Sequence, residues 1–217
     1  MEMKRLVIFD LDGTLVNTIA DLADSVNYAL CQRGFPVRDI TEFPYFVGDG
    51  IYKLIERALP FEKRNSDNIM SVKNIFMDHY MLHNTDKSVV YDGILELLRL
   101  LVEKNVGVAV ASNKVHGATV SMMRHFFPEI PFSCVFGQRD GVPTKPNPAI
   151  VIDILQTVGV LPSEVLYVGD SGVDMQTAHN AGIFAVGVTW GLRPVSELEQ
   201  NDAEIIIDSP SDLIKYL

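Results

Sequence analysis

The chain reads as an α/β protein: a Rossmann-like parallel sheet core flanked by helices, with an all-helical domain inserted near its start. Three observations predict this. An apolar, strand-like run, Leu6-Val7-Ile8-Phe9, leads straight into two carboxylates, Asp10 and Asp12, and a glycine at Gly13 then lets the chain turn. From Asn17 to about His83, apolar residues recur at helical spacing. From Ser88 onward, short and nearly continuous apolar runs alternate with amphipathic helical patterns, as parallel strands buried on both faces require.

The elements follow in order. Leu6 to Phe9 is the first strand. Ile19, Leu22, Ala23, Val26 and Leu30 define one helix; Ile51, Leu54, Ile55, Ala58 and Leu59 a second; Ile69, Val72, Phe76 and Tyr80 a third. Pro36, Pro44, Gly48 and Gly50 lie between the first two and mark loops. Ile94 to Glu103 reads as a helix, Val106 to Ala111 as a strand, Thr119 to Phe127 as a helix and Cys134 to Phe136 as a short strand. Next come a helix over Ala149 to Val158, a buried strand over Val165 to Val168, and a helix over Asp174 to Ala181 capped by Asp174. Strands at Phe184 to Val188 and Glu204 to Ile207, then a helix over Ser211 to Leu217, close the pattern. The expected organisation is a catalytic core of residues 1–16 and 85–217 and a helical cap of residues 17–84. An insert so close to the first strand's end is placed to cover it.

Bulk properties narrow the function classes. A length of 217 residues suits one large domain, or one domain with a modest second, and 47% hydrophobic residues suffice for a real core. The net charge of -10 and the lack of any Lys or Arg block argue against nucleic acid and anionic membrane surfaces as partners. No apolar stretch approaches membrane-spanning length and no leader-like segment opens the chain, so a cytoplasmic protein is expected, as monomer or homodimer. The two cysteines, Cys31 and Cys134, stand far apart without a CxxC pattern, and are expected to be buried packing residues. His79, His83, His116, His125 and His179 show no ligand spacing with an acid or cysteine and read as helix-surface or packing residues.

The residues that follow each apolar run carry the chemistry. Asp10 and Asp12 follow the first; Ser112 and Asn113 the run ending at Ala111; Asp170, Ser171 and Asp174 the run ending at Val168. All are expected at one edge of one sheet, where ligands bind in open α/β folds. Lys145 lies between the second and third groups, just before a helix. Singly, Ser112 and Asp174 could be helix caps, Asp170 a turn acid and Lys145 a surface lysine. Together at successive strand ends they are hard to attribute to capping. Asp10, Asp12, Asp170 and Asp174 are expected to converge, and two unit charges about 4 Å apart repel by about 4 kcal/mol at an effective dielectric of about 20. Such a cluster needs a cation, and its all-oxygen donors suit a hard ion such as Mg²⁺ better than zinc. Acids, Mg²⁺, Lys145, a hydroxyl and turn N–H groups together suit a phosphate group.

The motifs DLDGT at 10–14, ASN at 111–113, KPNP at 145–148 and GDSGVD at 169–174 resemble the haloacid dehalogenase-like superfamily. The segments GDGIYKLIERAL and VVYDGILELL and the helix ending Asn180-Ala181-Gly182 extend the resemblance to the phosphoglycolate phosphatase group, nearly end to end. The resemblance implies that Asp10 is the nucleophile that takes up a phosphoryl group and that Asp12 is the acid and base. It also implies that Asp10, Asp170 and the Asp12 carbonyl bind Mg²⁺, with Asp174 supporting the ion or Lys145. Ser112, Lys145 and backbone N–H groups, those of Leu11, Asp12 and Asn113 among them, would hold the phosphate. Superfamily members that cleave carbon–halogen bonds lack an acid at the position of Asp12, so phosphate transfer is favoured over dehalogenation.

The substrate implied is a small phosphorylated metabolite, 2-phosphoglycolate first. The alternatives are a pyrophosphatase, a nucleotide or sugar-phosphate phosphatase, a β-phosphoglucomutase-like phosphotransferase or, outside enzymes, a phosphate-binding regulatory protein. In the cap, Lys53 and Arg57 stand one helical turn apart with Glu56 between them. Arg57 could meet a substrate carboxylate, or the pair could be a solvated helix face.

Overall fold

Leu6–Phe9 (β1) is a central strand of a six-stranded sheet in the computed structural model, which describes residues 3–217. Positions 1 and 2 of the expected core lie outside the described residues. The chain continues through β2 (Val16–Asn17), α1 (Ile19–Gln32), α2 (Phe43–Phe46), α3 (Ile51–Ala58), α4 (Ser66–His83) and β3 (Val89–Val90). It then alternates as α5 (Ile94–Glu103), β4 (Gly107–Val115), α6 (His116–Phe126), β5 (Cys134–Gln138), α7 (Ala149–Val158), β6 (Val165–Gly169), α8 (Gly172–Asn180), β7 (Phe184–Val188), α9 (Val195–Gln200) and β8 (Ile205–Ile207). The strand order is β5-β4-β1-β6-β7-β8 and every pairing is parallel.

The sheet is buried on both faces because its side chains alternate. Val7, Phe9, Val108, Val110, Leu166 and Val168 pack with Leu97, Leu98 and Leu101 of α5 and Met122 of α6. Leu6, Ile8, Ala109, Ala111 and Tyr167 face Ile150, Val151 and Ile154 of α7 and Met175 of α8. The helices α1, α3 and α4 form a separate core through Leu22, Val26, Leu54, Ile55, Val72 and Phe76, which Ala118 of α6 joins from the main domain.

The two crossings between these bodies lie side by side: β2 and β3 form a two-residue antiparallel ribbon, Val16 opposite Val90 and Asn17 opposite Val89. No strand was expected there, since two residues are too few to show a period. Asp21, buried on α1, fixes the return crossing. It accepts hydrogen bonds from the backbone N–H groups of Lys87 at 2.9 Å and Ser88 at 2.8 Å, and from Ser88 Oγ at 2.6 Å.

Several boundaries differ from expectation. β4 runs on through Ser112, Asn113 and Lys114 to Val115, which pairs with Gln138 of β5 after an irregularity in register beyond Ala111. Pro44, expected in a loop, sits in the first turn of α2, where a missing N–H costs nothing. Ser171 caps α8 and Asp174 is its third residue; the two close a reciprocal capping box, so Asp174 is not itself the cap. The final segment, Pro210–Tyr216, is a 3₁₀ helix, and α9 follows Pro194 where no helix was expected. Cys134 is buried, but Cys31 lies exposed on α1, on the side of that helix away from its core.

Asp21→Ala removes the acceptor from three donors at once. It is expected to destabilise the protein by about 2 kcal/mol and to lower its unfolding midpoint by about 4–8 °C in a thermal melt; an unchanged melt would show that the crossing holds without it.

Candidate active site

Parallel strands end at one edge, so the chemistry-bearing residues of β1, β4 and β6 meet there. Asp10, Asp170 and Asp174 are all buried, and each offers a carboxylate oxygen within 4.8 Å of the others. Lys145 reaches into the group. Its Nζ donates to Asp10 Oδ1 at 2.8 Å, Asp174 Oδ1 at 2.7 Å, the Ala111 carbonyl at 3.1 Å and Tyr167 Oη at 3.1 Å. The remaining Asp174 oxygen accepts from the N–H and hydroxyl of Ser171, so this acid supports Lys145 and the turn. Asp170 accepts from Thr14 Oγ1 at 3.3 Å and from the Leu192 N–H at 2.7 Å. Gly13 is required here: its φ is +92°, and a Cβ would overlap the Asp170 carboxylate.

The electrostatics follow from burial. Desolvation pushes Asp10 up to about 7 against the pull of Lys145, with Asp174 and Asp12 adding to the rise. Asp170 is driven well above the usual carboxylate range by burial first, then by Asp174 and Asp10. Burial opposes the charge of Lys145 too, but the carboxylates of Asp10 and Asp174 outweigh it and hold the ammonium well above its ordinary value. Three buried carboxylates thus share one buried ammonium. A divalent cation would balance that excess, and a donor set of oxygens alone fits Mg²⁺.

Asp12 does not join this cluster, contrary to expectation. Its carboxylate turns to the other side, where Lys114 Nζ donates to both oxygens at 2.7 and 3.0 Å and Thr18 Oγ1 donates at 2.6 Å. Strand alternation alone would set residues two apart on one side, but β1 ends at Phe9 and the chain is already turning at residues 11–14, which separates the two acids. Ser112 is buried at the same edge and accepts from the Lys114 N–H at 3.2 Å. Asn113 ties the edge together: its Oδ1 accepts from the Lys145 N–H at 2.8 Å, and its Nδ2 donates to the Gly48 carbonyl of the cap at 2.9 Å.

A cavity of about 60 Å³ lies between this edge and the helical cap. Asp10, Asp12, Ser112, Asn113 and Lys114 form its floor; Leu22, Val47, Ile51, Leu54, Phe76 and Met77 supply apolar walls. Lys53 and Arg57 do not reach it. Lys53 pairs with Glu56 at 2.6 Å, and Arg57 with Asp49 at 2.5 Å and the Phe46 carbonyl at 3.1 Å. Each is satisfied by an acid on its own surface. The histidines also lie off the site, although His83 and His179 do pair with acids, Asp86 at 2.8 Å and Glu204 at 3.3 Å.

Sequence reasoning missed Lys114, Thr18, Tyr80 and the Val47–Ile51 loop. Lys114 directly follows Ser112-Asn113, and its place on the same strand end was the available signal. The loop's signal was Gly48 and Gly50, which have positive φ and bring backbone, rather than side chains, to the site.

A parallel sheet with an acid-and-lysine edge under an inserted helical cap defines a hydrolase of the phosphate-transferring kind. Comparison with known proteins agrees. A sequence model of the haloacid dehalogenase-like hydrolase family matches residues 7–188, and the chain belongs to that family. A phosphoglycolate phosphatase from Pseudomonas putida is 33% identical over 215 residues, 95% of this chain and 77% of its own length. One from Pasteurella multocida is 31% identical over 223 residues and the full length of both. The crystal structure of a predicted phosphoglycolate phosphatase from Haemophilus somnus superposes with a TM-score of 0.92 at 30% identity, covering 100% of this chain and 99% of that one. The protein is a phosphoric monoester hydrolase of the family.

Lys145→Met leaves the buried acids without their ammonium. The expected result is a loss of about 3 kcal/mol of unfolding free energy in denaturant titrations; an unshifted midpoint would mean that the pair carries no stability.

Proposed function

We propose that the protein is a Mg²⁺-dependent phosphatase that hydrolyses a small phosphomonoester, 2-phosphoglycolate first among them, through an aspartyl-phosphate on Asp10. The separation of the two acids after β1 carries this reading. Asp10 lies with Lys145 and the other buried acids, whereas Asp12 faces the cavity apart from them. One carboxylate is thereby available to attack phosphorus and the other to move protons.

An Asp10 oxygen bonds to phosphorus as the ester P–O bond breaks, and Asp12 gives its proton to the departing alkoxide. Asp12 then takes a proton from water, whose oxygen bonds to phosphorus as the Asp10–phosphorus bond breaks. The sum is ester plus water to alcohol plus phosphate. Lys145, Ser112 and the N–H groups of Leu11, Asp12 and Asn113 hold the phosphate oxygens. Asp10, Asp170 and the Asp12 carbonyl would hold the ion, with Asp174 braced on Lys145; when bound, the ion supplies positive charge against the anionic phosphate. A cavity this small with mostly apolar walls favours a leaving group of few atoms over a nucleotide. The relatives named phosphoglycolate phosphatase support the particular ester.

We place the enzyme in the cytoplasm, since both thiols are free. No helix of the described residues is long and apolar enough to cross a membrane.

A panel of phosphomonoesters assayed with Mg²⁺ and with chelator tests the reading. Phosphate release is expected from 2-phosphoglycolate, to be lost with chelator and to fall by at least about 10³-fold in Asp10→Asn, which cannot act as the nucleophile. Undiminished activity in Asp10→Asn would exclude the covalent route, and turnover confined to larger esters would exclude the substrate.

A further inference from the structure

We infer that Lys114 is the specificity-determining residue for an acid-bearing leaving group: it exchanges the Asp12 carboxylate for a carboxylate of the substrate. The inference rests on the phosphatase reading above and deepens it. Among the described residues, Lys114 is the one cation in the wall of the cavity, whose other walls are mostly apolar. The cap supplies no other, because Lys53 and Arg57 are turned to Glu56 and Asp49 outside it.

The position of Lys114 matches the task. Its ammonium is buried, with a side chain 5% exposed, and it grips both oxygens of Asp12. On the other side Nζ lies 4.9 Å from the ring of Tyr80, a residue of α4 in the cap. The aromatic face favours the charge and is a weaker acceptor than a carboxylate, so it does not displace an acid from the ammonium. Lys114 is therefore held at the junction of floor and cap, within reach of whatever is attached to a phosphate at Asp10.

In this exchange Asp12 turns from Lys114 to the ester oxygen, and a buried ammonium deprived of its acid is costly. A carboxylate on the leaving group removes that cost by taking the vacated place; a neutral leaving group does not. Recognition of the acid and release of Asp12 are then one event, and the preference should appear in turnover as well as in binding.

The test compares 2-phosphoglycolate with 2-hydroxyethyl phosphate, which replaces the carboxylate by an uncharged group of similar size. The wild-type enzyme is expected to favour the acid in kcat/KM, with part of the preference in kcat. In Lys114→Gln the ratio of the two kcat/KM values is expected to fall about 100-fold, while Lys114→Arg keeps most of it because the charge remains. Thermal melts of both variants establish that they are folded. Equal losses on both esters in Lys114→Gln, leaving the ratio intact, would overturn the inference and leave the phosphatase reading standing. A wild-type enzyme that hydrolyses neutral esters but not the acid would overturn the substrate reading itself, before any variant is made, and this inference with it.

Discussion

The ammonium of Lys145 is the point on which the active edge depends. It is buried, and its three N–H donors are shared among Asp10 after β1, the Ala111 carbonyl on β4, Tyr167 on β6 and Asp174 on α8. Each of those elements brings a group that could not be buried alone. Three carboxylates packed within a few ångströms are repulsive, and one lysine only partly relieves them. The remaining imbalance is what makes the site a receptor for more positive charge. Stability and function therefore pull on the same residues: the charge excess that suits the edge to a cation weakens the fold when the cation is away.

The two acids of the first motif illustrate how a strand end sorts chemistry. One residue separates Asp10 from Asp12, and the turn that begins where β1 stops sends one to Lys145 and the other to Lys114 and Thr18. Each acid thus has its own lysine. Lys145 belongs wholly to the core domain, whereas Lys114 lies against Tyr80 of the cap and Thr18 begins the chain's passage into it. The acid assigned to proton transfer is bonded to the start of the inserted helical segment through Thr18, whereas the proposed nucleophile is bonded to Lys145 of the core.

Much of this was legible in the sequence because it is written in strong, local patterns. Continuous apolar runs followed by Asp, Ser or Gly announce parallel strands and their functional ends, and the separate helical core of Leu22, Val26, Ile55 and Phe76 follows from spacing alone. The failures have physical causes too. Whether Asp12 joins Asp10 depends on which way a side chain turns after the strand stops, and Lys114 wins it with an ion pair across 102 positions of sequence. Of the two readings open for Arg57, the structure gives local ion pairing, with a partner, Asp49, in a loop whose shape the spacing does not reveal. The loop at Val47–Ile51 offers apolar side chains and glycine backbone to the site, and neither carries a chemical signature.

The two-residue ribbon of β2 and β3 also bears on how the chain reaches this state. β1 is made first during synthesis, yet its neighbours are β4, where Leu6 meets Gly107, and β6, where Leu6 meets Val165. The cap between them is continuous in sequence and has a core of its own, so its helices can assemble while β1 still lacks both partners. The ribbon then brings residues 17 and 89 face to face, shortening the effective loop that β1 must close to reach β4. The inserted domain in this way acts as an internal splint for the sheet it interrupts.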